Sequence, residues 1–447
     1  MKFTKFCKAL LMSALSAGVV LSVTSCVESY TVGFLYVTGT VTAQSSGNGI
    51  ISGFKIDHNT GQLTTINGLP ISSGGANPVR AVLITGSKFL YVLNRGANSS
   101  GGSGCTTANP CENSNITEFA VGGNGILTPQ ETFYTQGINP FRLLADSTGS
   151  YLYVLDHDSP SSAACALALG SSAKTCGDIT AFSVNQATGR LQLILNAQVT
   201  SANGAALTYF PVPANPIDFV QTSQFFLTVS GTPATGDSVF PYAFSTNGQL
   251  TVSQNSSQPL NIAQATAIVS GAGYVYVLDD EPITASSSTA TGTTTIGTTS
   301  PSQILPFSVG AGGALQTQTG GIVPDDPTLS NPIYLLVESK GKYLYVANQG
   351  NNTDTSNATS GIAGYVIDPS THQLSFIPGE PFPIGSGPQC IVEDPSDQFI
   401  YTANFNDSTV TGRVVNPNDG VLSNLRVTTS YALQGPAAWC LVDGRTS

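Results

Sequence analysis

The sequence predicts an all-β fold, a seven-bladed β-propeller with four antiparallel strands per blade and a ring closed by the C-terminal strand. A strand core that recurs seven times and chain ends that do not match each other predict it. The core reads aromatic-Leu-Tyr-Val, with copies beginning at Phe34, Phe89, Tyr151, Phe226, Tyr274, Tyr343 and Phe399. Each copy is β-branched or aromatic nearly throughout, as a buried strand requires. A second strand of the form Ile-x-x-Phe-x-Val/Ile follows, starting at Ile51, Ile116, Ile179, Ile304 and Ile362 in its clearest copies. A tight turn such as Asp57-His58-Asn59-Thr60-Gly61 then leads to a third strand, opened by Leu63, Leu127, Leu191, Leu250, Leu315, Leu374 or Leu422. Such turn residues supply the positive φ that a hairpin needs.

A fourth strand precedes each core and opens with Asn-Pro or Gly-Pro. Pro78, Pro140, Pro332 and Pro388 each stand twelve residues before the Leu or Ile of the next core. Pro216 is one residue closer, and Ala263 takes the place in the remaining copy. Proline suits a first strand position, where no ladder donor is required. The core at Phe34 lacks a Pro-led strand before it, while Gly435-Pro436-Ala437-Ala438-Trp439-Cys440 is such a strand with no core after it. Joining the two completes the first blade and leaves no free edge. The domain reading is a signal at 1–25, a short tether at 26–33 and the propeller over 34–447.

Only 9% of residues are charged and the net charge is −11. Without a basic stripe to neutralise phosphates, nucleic-acid binding is excluded. Lys2, Lys5 and Lys8 precede a short apolar stretch that ends in Val23-Thr24-Ser25-Cys26. This resembles a bacterial lipobox, which makes Cys26 the lipidated N-terminus of an exported lipoprotein; the alternative is an ordinary secretory signal. Membrane contact is expected through that lipid anchor, and the chain is expected to be a monomer. Cys105 and Cys111, and Cys165 and Cys176, bracket two loops and read as disulfides of an oxidising compartment. No His or second CxxC lies beside them, so no metal or cofactor is predicted. Cys390 and Cys440 fall on innermost strands of neighbouring blades, as either a disulfide pinning the closure or two buried thiols.

With strands labelled a to d from the axis outward, the a–b and c–d turns lie on one face. They are short. The b–c and d–a connections on the other face hold the long insertions, between Asn94 and Asn115, Asp156 and Asp178, Asp279 and Ser302, Asn348 and Gly361, and around 198–213. That face is the expected working surface. Its polar candidates are Arg80, Arg142, Asp218 and Gln389 on a strands, and Asn94, Arg95, Asp156, His157, Asp158, Asp279, Asn348, Gln349, Asn404 and Asp407 at b-strand ends. Arg80 and Arg142 share the slot two residues after Pro. They read as a two-arginine clamp for a carboxylate or phosphate, or as partners of nearby carboxylates.

The run Leu90-Tyr91-Val92-Leu93-Asn94, its copy Leu344-Tyr345-Val346-Ala347-Asn348, and Ile56-Asp57-His58-Asn59-Thr60-Gly61-Gln62-Leu63 resemble the lactonase-type β-propeller family. The family includes cycloisomerase-like 6-phosphogluconolactonases. The resemblance covers nearly the whole chain after the signal and implies hydrolysis of a sugar or related lactone in an axial cleft. It also implies a His shortly after a strand-opening Pro, and this sequence has none there. His157, between Asp156 and Asp158, is the only His on the long-loop face, so His157 or Asp158 is the expected water-activating group. Arg80, Arg142, Asp218, Asn94 and Asn348 are the expected substrate contacts. The second expectation is a non-catalytic envelope propeller that holds a glycan or a protein.

Overall fold

Each repeated core becomes the second strand of a blade because its alternate residues are buried against two neighbouring blades. The computed structural model describes residues 30–444 except 42–47, 85–87, 100–104, 233–234, 253–256, 261, 263, 281–285, 290–291, 296–301, 319 and 351–358. The signal, Cys26 and most of the Ser/Thr-rich stretch 284–302 therefore lie outside the described residues. Seven sheets are ordered a-b-c-d from the axis outward. The a strands of blades 1 to 7 are Ala437–Gly444, Pro78–Leu83, Ile138–Ala145, Pro216–Gln221, Ala265–Gly271, Pro332–Val337 and Pro388–Glu393. Five blades break the outer strand in two, so a second short segment such as Ile71–Ala76 or Tyr209–Val212 also pairs with strand c.

The predicted closure is present. Ala437–Gly444 pairs antiparallel with Thr31–Thr40, setting Trp439 opposite Thr38 and Cys440 opposite Val37. Cys440 is disulfide-bonded to Cys390 on the a strand of blade 7, with Cα atoms 5.8 Å apart. The same bond ties the last blade to the first.

Neighbouring blades are joined by the tyrosine of the core. Tyr36 donates its hydroxyl to the Gly125 carbonyl at 2.8 Å, and Tyr153 to Gly248 at 3.1 Å. Tyr345 bonds Gly420 at 2.7 Å, Tyr401 bonds Gly61 at 2.8 Å, and Tyr91 bonds Gly189. Each acceptor is the c–d turn glycine of the next blade, held at a φ between 66° and 81° that favours glycine. The Thr-Gly and Asn-Gly turns are thus inter-blade acceptors as well as hairpin tips. Blades 4 and 5 depart: blade 4 carries Thr228 at this position, and in blade 5 the Tyr276 hydroxyl has no partner among the described residues while Tyr274 meets His372 of blade 6 at 2.9 Å.

Strand a opens on Asn-Pro or Gly-Pro because the residue before Pro is left-handed, with φ 51° at Asn77, 59° at Asn139, 55° at Asn215, 54° at Asn331 and 68° at Gly387. In blade 5 the expected first residue, Ala263, is corrected to Ala265, which pairs with Asp279. The cause is a two-residue a–b turn, Ala272-Gly273, with φ 50° and 82°. This turn is tighter than those of the other blades, so counting back from the core overshoots.

Replacing Tyr345 by Phe strands the buried Gly420 carbonyl and should cost about 1–3 kcal/mol. The partnerless Tyr276→Phe should be near neutral. Denaturant midpoints of the two variants check this, and equal losses would contradict the inter-blade role.

Candidate functional site

Strand register defines one ring of seven side chains around the axis. In every blade a bulge near the start of strand a resets the register. The residue just past that bulge is the third of its strand, or the fifth in blade 3, where the strand begins two residues earlier. Those residues are Trp439, Arg80, Arg142, Asp218, Ala267, Tyr334 and Cys390, for blades 1 to 7. Counting two places from proline finds five of them. It gives Ala438 in blade 1 and Ala265 in blade 5, and the register corrects these to Trp439 and Ala267. In blade 1 Ala437, not Pro436, occupies the position that pairs with the end of strand b.

The ring is polarised. Asp218 takes Arg142 Nε on Oδ1 at 3.0 Å and stands 3.9 Å from Arg80 Nη2. Its Oδ2 accepts the Ile268 amide at 3.1 Å. The Arg80 guanidinium lies 3.5 Å from the centre of the Trp439 ring on the neighbouring blade and 5.3 Å from that of Tyr334 on blade 6. Those two rings meet edge-on at 4.9 Å. Burial pushes Arg80 down to about 10, Arg142 adds to the effect and Asp218 opposes it. Two arginines against one carboxylate leave the cluster net positive. The Arg142 side chain keeps 26% of its surface exposed, against 10% for Arg80 and 4% for Asp218. Arg142 is therefore the arginine that a ligand can meet, while Arg80 is held between an aromatic wall and Asp218.

An axial cavity of about 580 Å³ is bounded by five members of this ring, Trp439, Arg80, Arg142, Asp218 and Tyr334, and by later residues of all seven inner strands, down to Leu83, Ala145, Val220, Ser270, Val337, Glu393 and Val442. The cavity extends from the ring along the inner strands toward the short a–b turns, because its lining residues follow the ring members in each strand. Burial also raises Glu393, at the far end, to about 7, with Asp397, Glu338 and Asp394 adding to the shift and the Ser339 amide opposing it.

Asn94 and Asn348 are not brought to the axis. Both are fully buried. Asn94 Nδ2 donates to the Ser73 carbonyl, Asn115 Oδ1 and Thr117 Oγ1, at 3.0, 2.9 and 3.2 Å, while its Oδ1 accepts from Ser73 Oγ at 2.6 Å. The last residue of strand b lies beneath the d–a return, where a Cβ on Gly75 would come within 2.6 Å of Asn94 Cβ. Asn404 repeats the arrangement with Thr409 and Thr411, and Asn348 lies against Asp325. These positions tie blades to their connections.

In blade 3 the same positions hold two acids, Asp156 directly opposite Asp178. Both are fully buried, and Thr180 donates to Asp156 at 3.2 Å as Thr117 sits with Asn94 in blade 2. Burial raises Asp156 to about 7 and Asp178 well above the usual carboxylate range, its neighbour Asp156 contributing next. One carboxyl must keep a proton to do what the Asn94 amide does toward Asn115.

His157 does not line the axial cavity. Its Nδ1 stands 3.1 Å from Asp158 Oδ2. Asp158 also accepts from Asn139 Nδ2 and Thr107 Oγ1, each at 2.9 Å. The His157 ring packs edge-on against Phe141 at 6.2 Å, and Arg142 Cζ lies 5.1 Å from the centre of the Phe141 ring. Arg95 adjoins this group: burial lowers it first, then Arg142, with Asp158 opposing. Thr107 belongs to the loop closed by Cys105–Cys111, which thereby docks onto blade 3. The second loop is closed by Cys165–Cys176 and contains a helix, Ser162–Leu169, that the sequence reading did not anticipate. Ser161 caps it and the run is alanine-rich.

The family model described as Lactonase, 7-bladed beta-propeller, matches residues 34–205 and 295–439. Among solved structures the chain resembles a candidate 6-phosphogluconolactonase of Bacteroides fragilis, at 15% identity and a TM-score of 0.63, covering 92% of this chain and 98% of that one. It also resembles the periplasmic gluconolactonase of Pseudomonas aeruginosa, at 16% identity and 0.62, covering 92% and 99%. These likenesses show the shared fold. No curated protein matches the chain.

The Asp156–Asp178 pair makes stability fall with rising pH. Folded Asp156 keeps a proton that the unfolded chain releases above about pH 4. The resulting stability is complete below that value and lost as pH climbs to about 7. Asp156→Asn, which supplies the donor permanently, should flatten the pH dependence of thermal unfolding and raise the midpoint at pH 8. An unchanged slope would show that the pair shares no proton.

Proposed function

From the premise that this chain belongs to the seven-bladed lactonase propeller family, we propose that it opens a lactone, sugar-derived or related, at the polarised axial ring. The convergence of Arg80, Arg142 and Asp218 at the head of the cavity carries this reading. Arg142 supplies donors for the carbonyl oxygen that becomes the oxyanion, and Arg80 adds fixed positive charge in a site largely removed from water. Asp218 holds the two arginines together. A water attacks the acyl carbon, its proton passes to His157 Nε2, and the ring C–O bond breaks. The departing alkoxide takes the proton back, giving the hydroxy acid, whose carboxylate the arginines also suit. Phe141, in contact with both His157 and Arg142, marks the route between base and oxyanion site.

A second reading, a propeller that binds the same ligand without opening it, is favoured by His157 lying outside the cavity lining. Gluconolactone with and without a 6-phosphate separates the two, since both ligands are suggested by the names of the structural neighbours. Hydrolysis is expected to fall about 10²-fold or more in Arg142→Gln and by a similar factor in His157→Ala. Binding without turnover would establish the second reading; turnover indifferent to both changes would remove the site assignment.

The reading also places the protein on a membrane surface through acylation of Cys26. The basic and apolar N-terminal segment, the Val23-Thr24-Ser25-Cys26 motif and three disulfides support it. Cys26→Ala should move the protein from the membrane to the soluble fraction of an expressing bacterium. Equal membrane recovery of both forms would argue against lipidation.

A further inference from the structure

Directly beneath the charged ring lies a second ring of different chemistry. Side chains two apart on a strand share a face. The residues two places beyond the seven ring members are Leu441, Val82, Leu144, Val220, Val269, Leu336 and Val392, for blades 1 to 7. Every one is valine or leucine, and all seven line the axial cavity. Among the side chains that line it, the next polar ones are Ser270 and Glu393, at the rim by the a–b turns. From the ring to that rim is three strand residues, roughly 10 Å.

A polyhydroxylated ligand entering this shaft would leave its hydroxyls facing aliphatic side chains, losing hydrogen bonds to water without replacement from them. An alkyl chain would instead release water from those walls. The head of the cavity is net positive and presents Arg142, while its aromatic side is fixed by Trp439 and Tyr334. The two tiers together describe an amphiphile.

We infer that the ligand of the axial site is an anionic or lactone head carrying a medium-length aliphatic chain, with the head at Arg142 and Arg80 and the chain in the Val/Leu ring. This rests on the reading of the arginine cluster as the ligand's head site and specifies what lies beyond it. The corresponding substrate class is an alkyl-substituted lactone, and the product is its hydroxy acid.

Trp439, the sole tryptophan of the chain, stacks on Arg80 and reports on the site through its fluorescence. The experiment titrates the full protein with acetate, butyrate, hexanoate, octanoate and gluconate, following Trp439 emission. Affinity should rise about fourfold with each methylene the shaft takes up, and gluconate should bind no better than acetate. Val269→Thr, close in shape but polar, should flatten the rise, whereas Arg142→Gln should weaken the whole series. Binding that depends on Arg142 but not on chain length, with gluconate equal or better, would overturn the aliphatic shaft and leave the head site standing. Absence of any Arg142-dependent binding would overturn both. The series on the unaltered protein decides the matter even where a variant fails to fold.

Discussion

Antiparallel pairing of Ala437–Gly444 with Thr31–Thr40 joins the two ends of the chain at the axis, and the axial site is built from what that pairing delivers. It carries Trp439 to the face of Arg80 and Cys440 to Cys390, so the closing strand is also one wall of the cavity. A shift of one residue in this pairing would turn Trp439 to the other face of its strand. The disulfide and the ladder fix the same register from opposite sides of the strand. Burial of the Arg80 guanidinium depends on this, since a cation so far removed from water needs the indole and Asp218 beside it.

Around that closure the molecule divides labour by distance from the axis. The inner strands carry the residues able to meet a ligand, two arginines and an acid on blades 2 to 4 opposite aromatic rings on blades 1 and 6. The ends of the b strands carry polar residues of similar appearance with a different task. Asn94, Asp156 and Asn404 are buried under glycines of the d–a returns and hold those returns to strand c. Farther out, tyrosine hydroxyls bind glycine carbonyls of the next blade. Each layer uses polar groups, and burial separates the structural ones from the partly exposed Arg142.

His157 shows why a residue on the long-loop face need not line the cavity. Its carboxylate partner and its edge-on contact with Phe141 hold it in a defined place, one ring away from the arginine that would stabilise the oxyanion. The long loops it belongs to are elaborate and disulfide-bonded, yet the axial cavity is lined by residues of the inner strands. Elaboration of a face and the position of a cavity are separate properties of a propeller. The first follows insertions, the second follows the side chains of seven inner strands.

The sequence by itself determined the fold, the blade count, the closure and the pairing of two loop disulfides. These depend on local patterns: alternation of apolar residues, glycine and proline at turns, and cysteines six and eleven residues apart. It also named Arg80, Arg142 and Asp218, because the proline that opens a strand fixes a nearby slot. Only the tertiary structure decided that Cys390 and Cys440 are joined, that Trp439 and Tyr334 complete the ring, and that Asn94 and Asn348 are structural. Each of these turns on register between strands distant in sequence. A strand that opens one residue after its proline in blade 1, or a two-residue turn in blade 5, moves that register by one or two residues, and with it the residue that reaches the ring.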